Sequence, residues 1–394
     1  MIFLFCHSFF WFVLTELRFR RNQRASSYLM KAPAQNPPRM PSVSVFVPAR
    51  NEERYIERAI RSLLAQDYPG AFHIYCANDH SKDRTGEILR KLLKEFGNAR
   101  LTVFNTPELP AGWMGKCHAL YRAVALQPEK ADIYLFTDAD VVHRPDTIRR
   151  AVLNLHRAKV DLFAIMPYVH CVGFWENAIL PILMHFGILI LNPANLNNPR
   201  KREAVGIGAF TMIRRAMYEK WGGHDAIRGE IIDDMAMGVM TKRAGGRMAF
   251  VRAGRAVELR MYTDFDSISK GFEKNMHASI GAPFPIACLA AFGISLQHCT
   301  PAVVMLAALV LPVHHAVSLF VAALLVHIAT GLVLYSRTSH FLGAKPLVLI
   351  VAYPIGAIAA STIMIRSAWH ARFLKQVRWR GRTLPLPKQR TKMF

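Results

Sequence analysis

Two hydrophobic rhythms divide the chain. From Ser42 to about residue 265, short β-branched or aromatic runs alternate with stretches whose apolar residues recur every three or four positions. These are the periods of buried strands and amphipathic helices. SVSVFVP, FHIYCAND, LTVFNT and ADIYLFTDAD read as strands, and NEERYIERAIRSLLAQ, SKDRTGEILRKLLKEF and GKCHALYRAVAL as the helices between them. Ser81 is the expected N-cap of the second helix. Such alternation predicts an α/β fold with a mostly parallel, doubly wound sheet. Ligands of these sheets bind beyond the carboxyl ends of the strands, and Arg50, Asp79, Asp138 and Asp140 all fall just past predicted strand ends.

The second rhythm is longer. Residues 267–283 read as an interfacial helix, and apolar stretches follow at about 284–312, 314–335 and 346–366. Each meets the ~20-residue length of a bilayer span. Gln297, His298 and Pro301 interrupt the first, which is therefore expected to be kinked or re-entrant, and His314 and His315 mark a turn. At the other end, apolar residues 2–17 precede Arg18, Arg20, Arg21 and Arg24. Charges after the run fit an N-terminal membrane anchor better than a cleavable signal peptide. The expected organisation is an anchor over 1–24, a proline-rich linker over 25–42, the α/β domain over 43–266, the interfacial helix, transmembrane helices over 284–366 and a basic tail over 367–394.

Composition sharpens this picture. At 52% hydrophobic residues, the 394-residue chain is too apolar to be disordered. A formal charge of +23 raises nucleic acid, anionic membrane and phosphorylated substrates as partners. No Asp or Glu occurs from Phe284 onward, while Arg366, Arg372, Lys375 and Arg378 begin a dense basic run after the last apolar stretch. Basic residues flanking apolar segments belong to a membrane protein, so a lipid bilayer is expected as partner and nucleic acid is not. The positive-inside rule puts the α/β domain in the cytoplasm of a multi-pass protein of the inner (plasma) membrane. Three full spans would leave the basic tail outside, so a re-entrant first segment with the tail inside is the expectation. The scattered cysteines (Cys6, Cys76, Cys117, Cys171, Cys288, Cys299) show no zinc or disulfide spacing and read as small buried hydrophobes.

The chemistry centres on Asp138-Ala139-Asp140. Two carboxylates at i and i+2 of an extended segment face the same way and can hold one hard divalent cation with a diphosphate. Alone, the motif reads equally well as an acidic cap of the helix after Pro145. It is joined, however, by Val47-Pro48-Ala49-Arg50-Asn51-Glu52-Glu53, Asn78-Asp79, Trp113-Met114-Gly115-Lys116 and Ile231-Ile232-Asp233-Asp234. In this order, over about residues 43–280, these segments resemble the family-2 glycosyltransferases of the GT-A fold. Phe174-Trp175-Glu176, Ala226-Ile227-Arg228-Gly229 and the C-terminal apolar segments resemble the hopene-associated members, with the carotenoid-acid glycosyltransferases sharing part of the pattern.

The resemblance implies a Rossmann-like GT-A domain followed by transmembrane helices. It implies that Pro48, Ala49, Arg50 and Glu52 lie against the nucleotide base and ribose, and that Asp79 hydrogen-bonds the base. Lys116 would neutralise the diphosphate or contact the base. Asp138 would lie near the sugar or ribose and share Mg2+ or Mn2+ with Asp140. Asp234, beside Asp233, matches the general base that deprotonates the acceptor hydroxyl. Gly206 and Gly208 resemble the acceptor-side turn, and Gly222-Gly223 reads as the turn before the acid-bearing helix. Asp79 as a helix cap, Lys116 as a solvated lysine and Asp233-Asp234 as an exposed acidic turn are the plainer alternatives. Glu53, at a helix N-terminus, reads as structural.

Two departures matter. Asn78 stands where most relatives carry a second acid, and Lys270-Gly271-Phe272-Glu273-Lys274-Asn275 stands where processive synthases carry Gln-x-x-Arg-Trp. The implied function is an inverting transfer of one sugar from a nucleotide-sugar donor, UDP-linked, to a membrane lipid such as a hopanoid or carotenoid-type isoprenoid. Arg200, Lys201 and Arg202, as a basic cluster, keep polyprenyl-phosphate glycosylation open. A non-catalytic membrane scaffold is the alternative from another class.

Overall fold

The computed structural model describes residues 39–190, 193–312, 314–374, 376–379 and 382–385. The expected N-terminal anchor, nearly all of the linker, Cys6 and the end of the basic tail lie outside them. The principal elements begin with β1 (Val43–Ala49), α1 (Ile56–Leu64), β2 (Phe72–Asn78), α2 (Thr85–Phe96), β3 (Leu101–Asn105), α3 (Gly115–Ala125) and β4 (Ile133–Phe136). There follow β5 (Val141–His143), α4 (Thr147–Arg157), β6 (Leu162–Met166), α5 (Phe174–Ile190), β7 (Thr211–Arg214), α6 (Asp233–Arg243), β8 (Met248–Arg252) and β9 (Val257–Leu259). The chain then forms α7 (Phe265–Ile280), α8 (Phe284–Val310), α9 (Ala316–Thr338) and α10 (Pro346–Trp369). The described residues fall into an α/β unit drawn from Ser26–Tyr168 and Pro193–Met261, and a helical unit drawn from Val169–Asn192 and Tyr262–Leu386.

The α/β unit has the mostly parallel sheet read from the sequence, in the order β3-β2-β1-β4-β7-β6-β8. β1 runs parallel to β2 and β4, whereas β7 runs antiparallel to both β4 and β6. Register brings the strand ends level: Ala49 lies opposite Asn78, and Asn78 opposite Asn105. β1 and β4 are buried almost throughout, as central strands covered on both faces must be. Phe46 stacks with Tyr75 and Phe136 and meets Tyr134 edge-on, at centroid distances of 5.2–5.6 Å. This aromatic stack fixes the strands whose ends carry the polar residues.

One expected cap is corrected. α2 starts at Thr85 with Arg84 at its N-cap. Ser81 instead accepts the Asn51 amide at 3.1 Å, and Asp83 accepts the amides of Glu53 and Thr85 at 3.1 and 3.0 Å. These bonds draw residues 81–84 towards the loop after β1, so the helix starts later.

In the helical unit, α8, α9 and the helix from Pro346 to Leu374 are each long and apolar enough to cross a membrane. α8 is one continuous helix, with Pro301, one of the residues expected to kink it, inside. Beside the proline, the Thr300 hydroxyl donates to the Leu296 carbonyl, and His298 Nδ1 lies 2.9 Å from the Ile294 carbonyl. α8 and α10 run antiparallel. Phe284 contacts Trp369, the Ser361 hydroxyl donates to the Ala291 carbonyl, and Cys299 reaches the Pro354 carbonyl. The chain therefore enters α8 and leaves α10 at the same end. α5 belongs to this unit: Asn177 accepts the Lys345 amide at 2.6 Å, and His185 lies 2.9 Å from the Arg337 guanidinium.

Candidate active site

Beyond β4 the chain passes through Thr137 and Asp138 into a turn at Ala139-Asp140, and accessibility alternates. Thr137, Ala139 and Val141 are buried, while Asp138 and Asp140 are half-buried. The extended i, i+2 geometry expected from the sequence is not kept to its end: both carboxylates are more accessible than the residues between and beside them, but Asp140 stands in the turn. The Thr137 hydroxyl donates to the Ala209 carbonyl at 2.8 Å, and the Asp138 amide to the Gly208 carbonyl at 3.0 Å. The motif does not cap the next helix, since α4 begins at Thr147 with Asp146 at its N-cap.

Asp233 and Asp234 open α6, and Lys116 is the second residue of α3. Lys116 Nζ lies 2.8 Å from Asp138 Oδ1 and 3.1 Å from Asp233 Oδ1. Although 36% of its side chain stays exposed, it is ion-paired, and it joins two segments far apart in sequence. Asp233 is 4% exposed, which removes the reading of an exposed acidic turn. Asp234 accepts the Gly208 amide on Oδ2 at 2.5 Å and the Met235 amide on Oδ1 at 2.7 Å. Gly206 and Gly208 make this convergence possible. A Cβ on Gly206 would overlap the Asp234 carbonyl, and one on Gly208 would press on the Asp138 carboxylate.

The charges respond to this crowding. Burial alone would lower the Lys116 ammonium, but Asp138, Asp233 and Asp234 together hold it well above the usual lysine range. The side chain keeps 36% of its surface, so solvent screens part of that attraction. Burial, and then repulsion from Asp233, push the Asp234 carboxyl up to about 6, against the pull of Lys116.

A supporting layer lies behind. Cys117 Sγ sits 3.5 and 3.6 Å from the Ile227 and Glu230 carbonyls, and the Met114 amide donates to the Arg228 carbonyl at 2.7 Å. Residues 227–230 are thereby seated on α3 just before the acids. His224, fully buried, packs on Phe136 at 4.8 Å. The Tyr218 hydroxyl accepts the His224 amide at 3.0 Å and lies 2.8 Å from Nδ1, a pattern that assigns it as donor to a neutral imidazole. Burial lowers this imidazole to about 4. Sequence reading missed His224; its position straight after Gly222-Gly223 was the available signal. Both glycines have positive φ, as their reading as a turn requires.

A second cluster forms at the ends of β1 and β2. Arg50 Nη1 donates to the Asp79 carbonyl at 2.9 Å and lies 3.7 Å from Asp79 Oδ2. Asp79 Oδ1 accepts the Thr106 hydroxyl at 3.3 Å and lies 3.1 Å from His80 Nδ1. Asp79 caps no helix. Its amide donates to Ala49, whose neighbour Pro48 is half-buried. Glu52 is buried, with its amide on the Thr85 hydroxyl at 2.7 Å, while Glu53, in the turn before α1, accepts the Arg84 amide at 3.2 Å. Asn78 pairs with Asn105 at 2.8 Å. Asn78, His80, Arg90, Asn105 and Thr106 line a cleft of about 750 Å³ beside Asp79.

A mostly parallel sheet with acids at its strand ends is the form of a GT-A transferase. Residues 38–280 match the family described as "Glycosyltransferase like family 2", and the chain belongs to that family. Among its relatives is the 4,4'-diaponeurosporenoate glycosyltransferase of Staphylococcus aureus strain USA300. It is 24% identical over 249 residues, which cover 62% of this chain and 63% of the relative. The counterpart in strain MRSA252 is 25% identical over the same length. The chain thus spans 63% of the length of these relatives. A mannosyltransferase from Pyrobaculum calidifontis, solved with GDP-Man and Mn2+, superposes with a TM-score of 0.53 over 95% of this chain and 98% of that one. At 19% identity, that likeness concerns the fold alone.

Proposed function

We propose that the protein is a membrane-bound inverting glycosyltransferase that moves a single sugar from a UDP-linked donor to a lipid hydroxyl or carboxyl of isoprenoid type. The observation that carries this is the convergence of Asp138, Asp233 and Asp234 on Lys116 and the Gly208 amide, in a chain with three helices of membrane-spanning length. The name of the staphylococcal relative, a transferase of a carotenoid acid, supports the acceptor class.

In this reading Arg50 and Asp79, with Pro48, Ala49 and Glu52 beside them, bind the base and ribose. Lys116 offers its charge to the diphosphate. Asp234 accepts the acceptor's proton as the acceptor oxygen attacks the anomeric carbon from the face opposite the departing diphosphate. The new C–O bond forms as the bond to the diphosphate breaks, and the nucleoside diphosphate leaves with its electron pair. A carboxyl raised to about 6 is a stronger base than an ordinary one. The half-buried carboxylates of Asp138 and Asp140, two residues apart just past the end of β4, are hard donors suited to Mg2+ or Mn2+. When bound, such an ion would supply positive charge against the leaving group. Among the described residues no three His, Cys, Asp or Glu side chains group closely enough to hold a metal ion by themselves.

The experiment is nucleotide release from a panel of nucleotide sugars by the detergent-solubilised full chain, with a total lipid extract. UDP release that needs Mg2+ or Mn2+ and rises with added lipid supports the reading. A folded protein that releases no nucleotide from any donor overturns it.

A further inference from the structure

The two ends of the α8–α10 pair differ. At one end, where α8 begins and α10 stops, Phe284, Trp369 and Phe373 touch one another, with centroids 5.8, 5.8 and 4.2 Å apart. Trp369, Phe373 and the next residue, Leu374, remain about half exposed. Among these apolar groups stand basic ones. Arg372 lies over the Phe373 ring at 5.5 Å. Arg366 gives Nε to Glu273 of α7 at 2.9 Å yet keeps 55% of its side chain exposed. His370 Nδ1 lies 3.7 Å from the same carboxylate. Glu273 is held in turn by the Ser269 hydroxyl at 2.8 Å, and its carbonyl by Ser367 at 2.5 Å. At the other end, the α8–α9 turn falls in a stretch, Phe284 to Ser336, without a single Lys, Arg, Asp or Glu.

Half-exposed aromatic rings interleaved with arginines, at the end of helices of membrane-spanning length, have the composition of a headgroup boundary. The rings suit the edge of the acyl region and the guanidinium groups suit phosphates. Charge selects among headgroups. The sequence beyond Leu374 adds Lys375, Arg378, Arg380 and Arg382 with no acid to offset them, and one carboxylate, Glu273, faces Arg366 and His370 on this surface. We propose that this end of the helical unit is a binding face for anionic phospholipid, holding phosphatidylglycerol-type headgroups in preference to zwitterionic ones through Arg366 and Arg372. The proposal stands apart from the transfer reaction, and its test needs no turnover.

The full chain is reconstituted in nanodiscs of phosphatidylcholine mixed with phosphatidylglycerol, and the lipids retained on gentle re-extraction are counted by mass spectrometry. Phosphatidylglycerol is expected to be enriched over the bulk ratio. Arg366→Gln with Arg372→Gln should lower that enrichment roughly ten- to thirty-fold, from about 1 kcal/mol per basic residue near an anionic surface. Should the double variant fold poorly, raising the salt on the unaltered protein makes the same test, because screening releases lipid held by exposed charge. Retention at the bulk ratio, or enrichment indifferent to both substitution and salt, overturns the proposal. Complete displacement by inorganic phosphate also overturns it, because the site would then take a free anion rather than a lipid.

Discussion

Lys116 links Asp138 to Asp233 while Asp234 is held by amide donors, so the two neighbouring acids of α6 have different partners. Asp234→Asn should reduce transfer about a hundred- to ten-thousand-fold, the usual worth of a general base, with donor binding unchanged by calorimetry. Loss of donor affinity without loss of turnover would reassign the residue. Gly206→Ala should cost about 1–3 kcal/mol in denaturant unfolding, because the new methyl meets the Asp234 backbone, which cannot rotate away. Acid sensitivity follows from two buried imidazoles, His143 and His224, which burial lowers to about 3 and about 4. The unfolded chain binds those protons near pH 6.5, so stability is complete above that pH and falls as pH drops towards 4. Asp234, raised to about 6, works in the opposite direction but is a single group. The melting temperature of the α/β unit should therefore be lower at pH 5 than at pH 7.5, and His224→Gln should weaken that dependence. The acids, Arg50, Asp79 and Lys116 were legible because each ends a strand or opens a helix in a recognisable motif. Their partners were not. Gly208 meets Asp138 and Asp234 only after β7 has been inserted beside β4, a pairing that local periodicity does not encode.

Among elements, those with a clean period were readable: β1 to β4 and α1 to α3 all form within the segments the pattern marked, although α1 begins only at Ile56. The start of α2 was displaced because Asp83, Thr85 and Glu53 form a local network that outweighs a serine cap. α5 escaped notice because FWENAILPILMHFGILI is apolar on every face, with Pro181 inside, and lacks the amphipathic stripe by which a helix is recognised. Its partner explains the composition. A side chain on Gly356 of α10 would collide with the Ala178 carbonyl of α5, so the two backbones pack without intervening atoms. Gly356→Ile should separate these helices, seen as a lower yield of monodisperse protein and faster chymotryptic cleavage within α5, which carries Phe174, Trp175 and Phe186 but no Lys or Arg. An unchanged cleavage pattern would show that the contact contributes little.

At the scale of the whole chain, the α/β unit carries its own countercharge: the ammonium of Lys116 already balances part of the acid cluster. Chelation with EDTA should therefore abolish transfer while leaving the melting temperature within a degree or so, unlike a domain whose folding energy comes from its metal. A large fall in melting temperature would assign the ion a structural role. Hydropathy marked the three long helices because apolar length is a local property. It did not reveal the direction of α10, which depends on contacts such as Phe284 with Trp369 and Ala291 with Ser361. That direction has a consequence for biogenesis. The start of α8 and the end of α10 lie together, so Arg366 and Arg372 need not be separated from the start of α8 by the transmembrane voltage. At about 2.3 kcal/mol per charge per 100 mV, cations at that end escape an electrical toll that would otherwise grow with every arginine added.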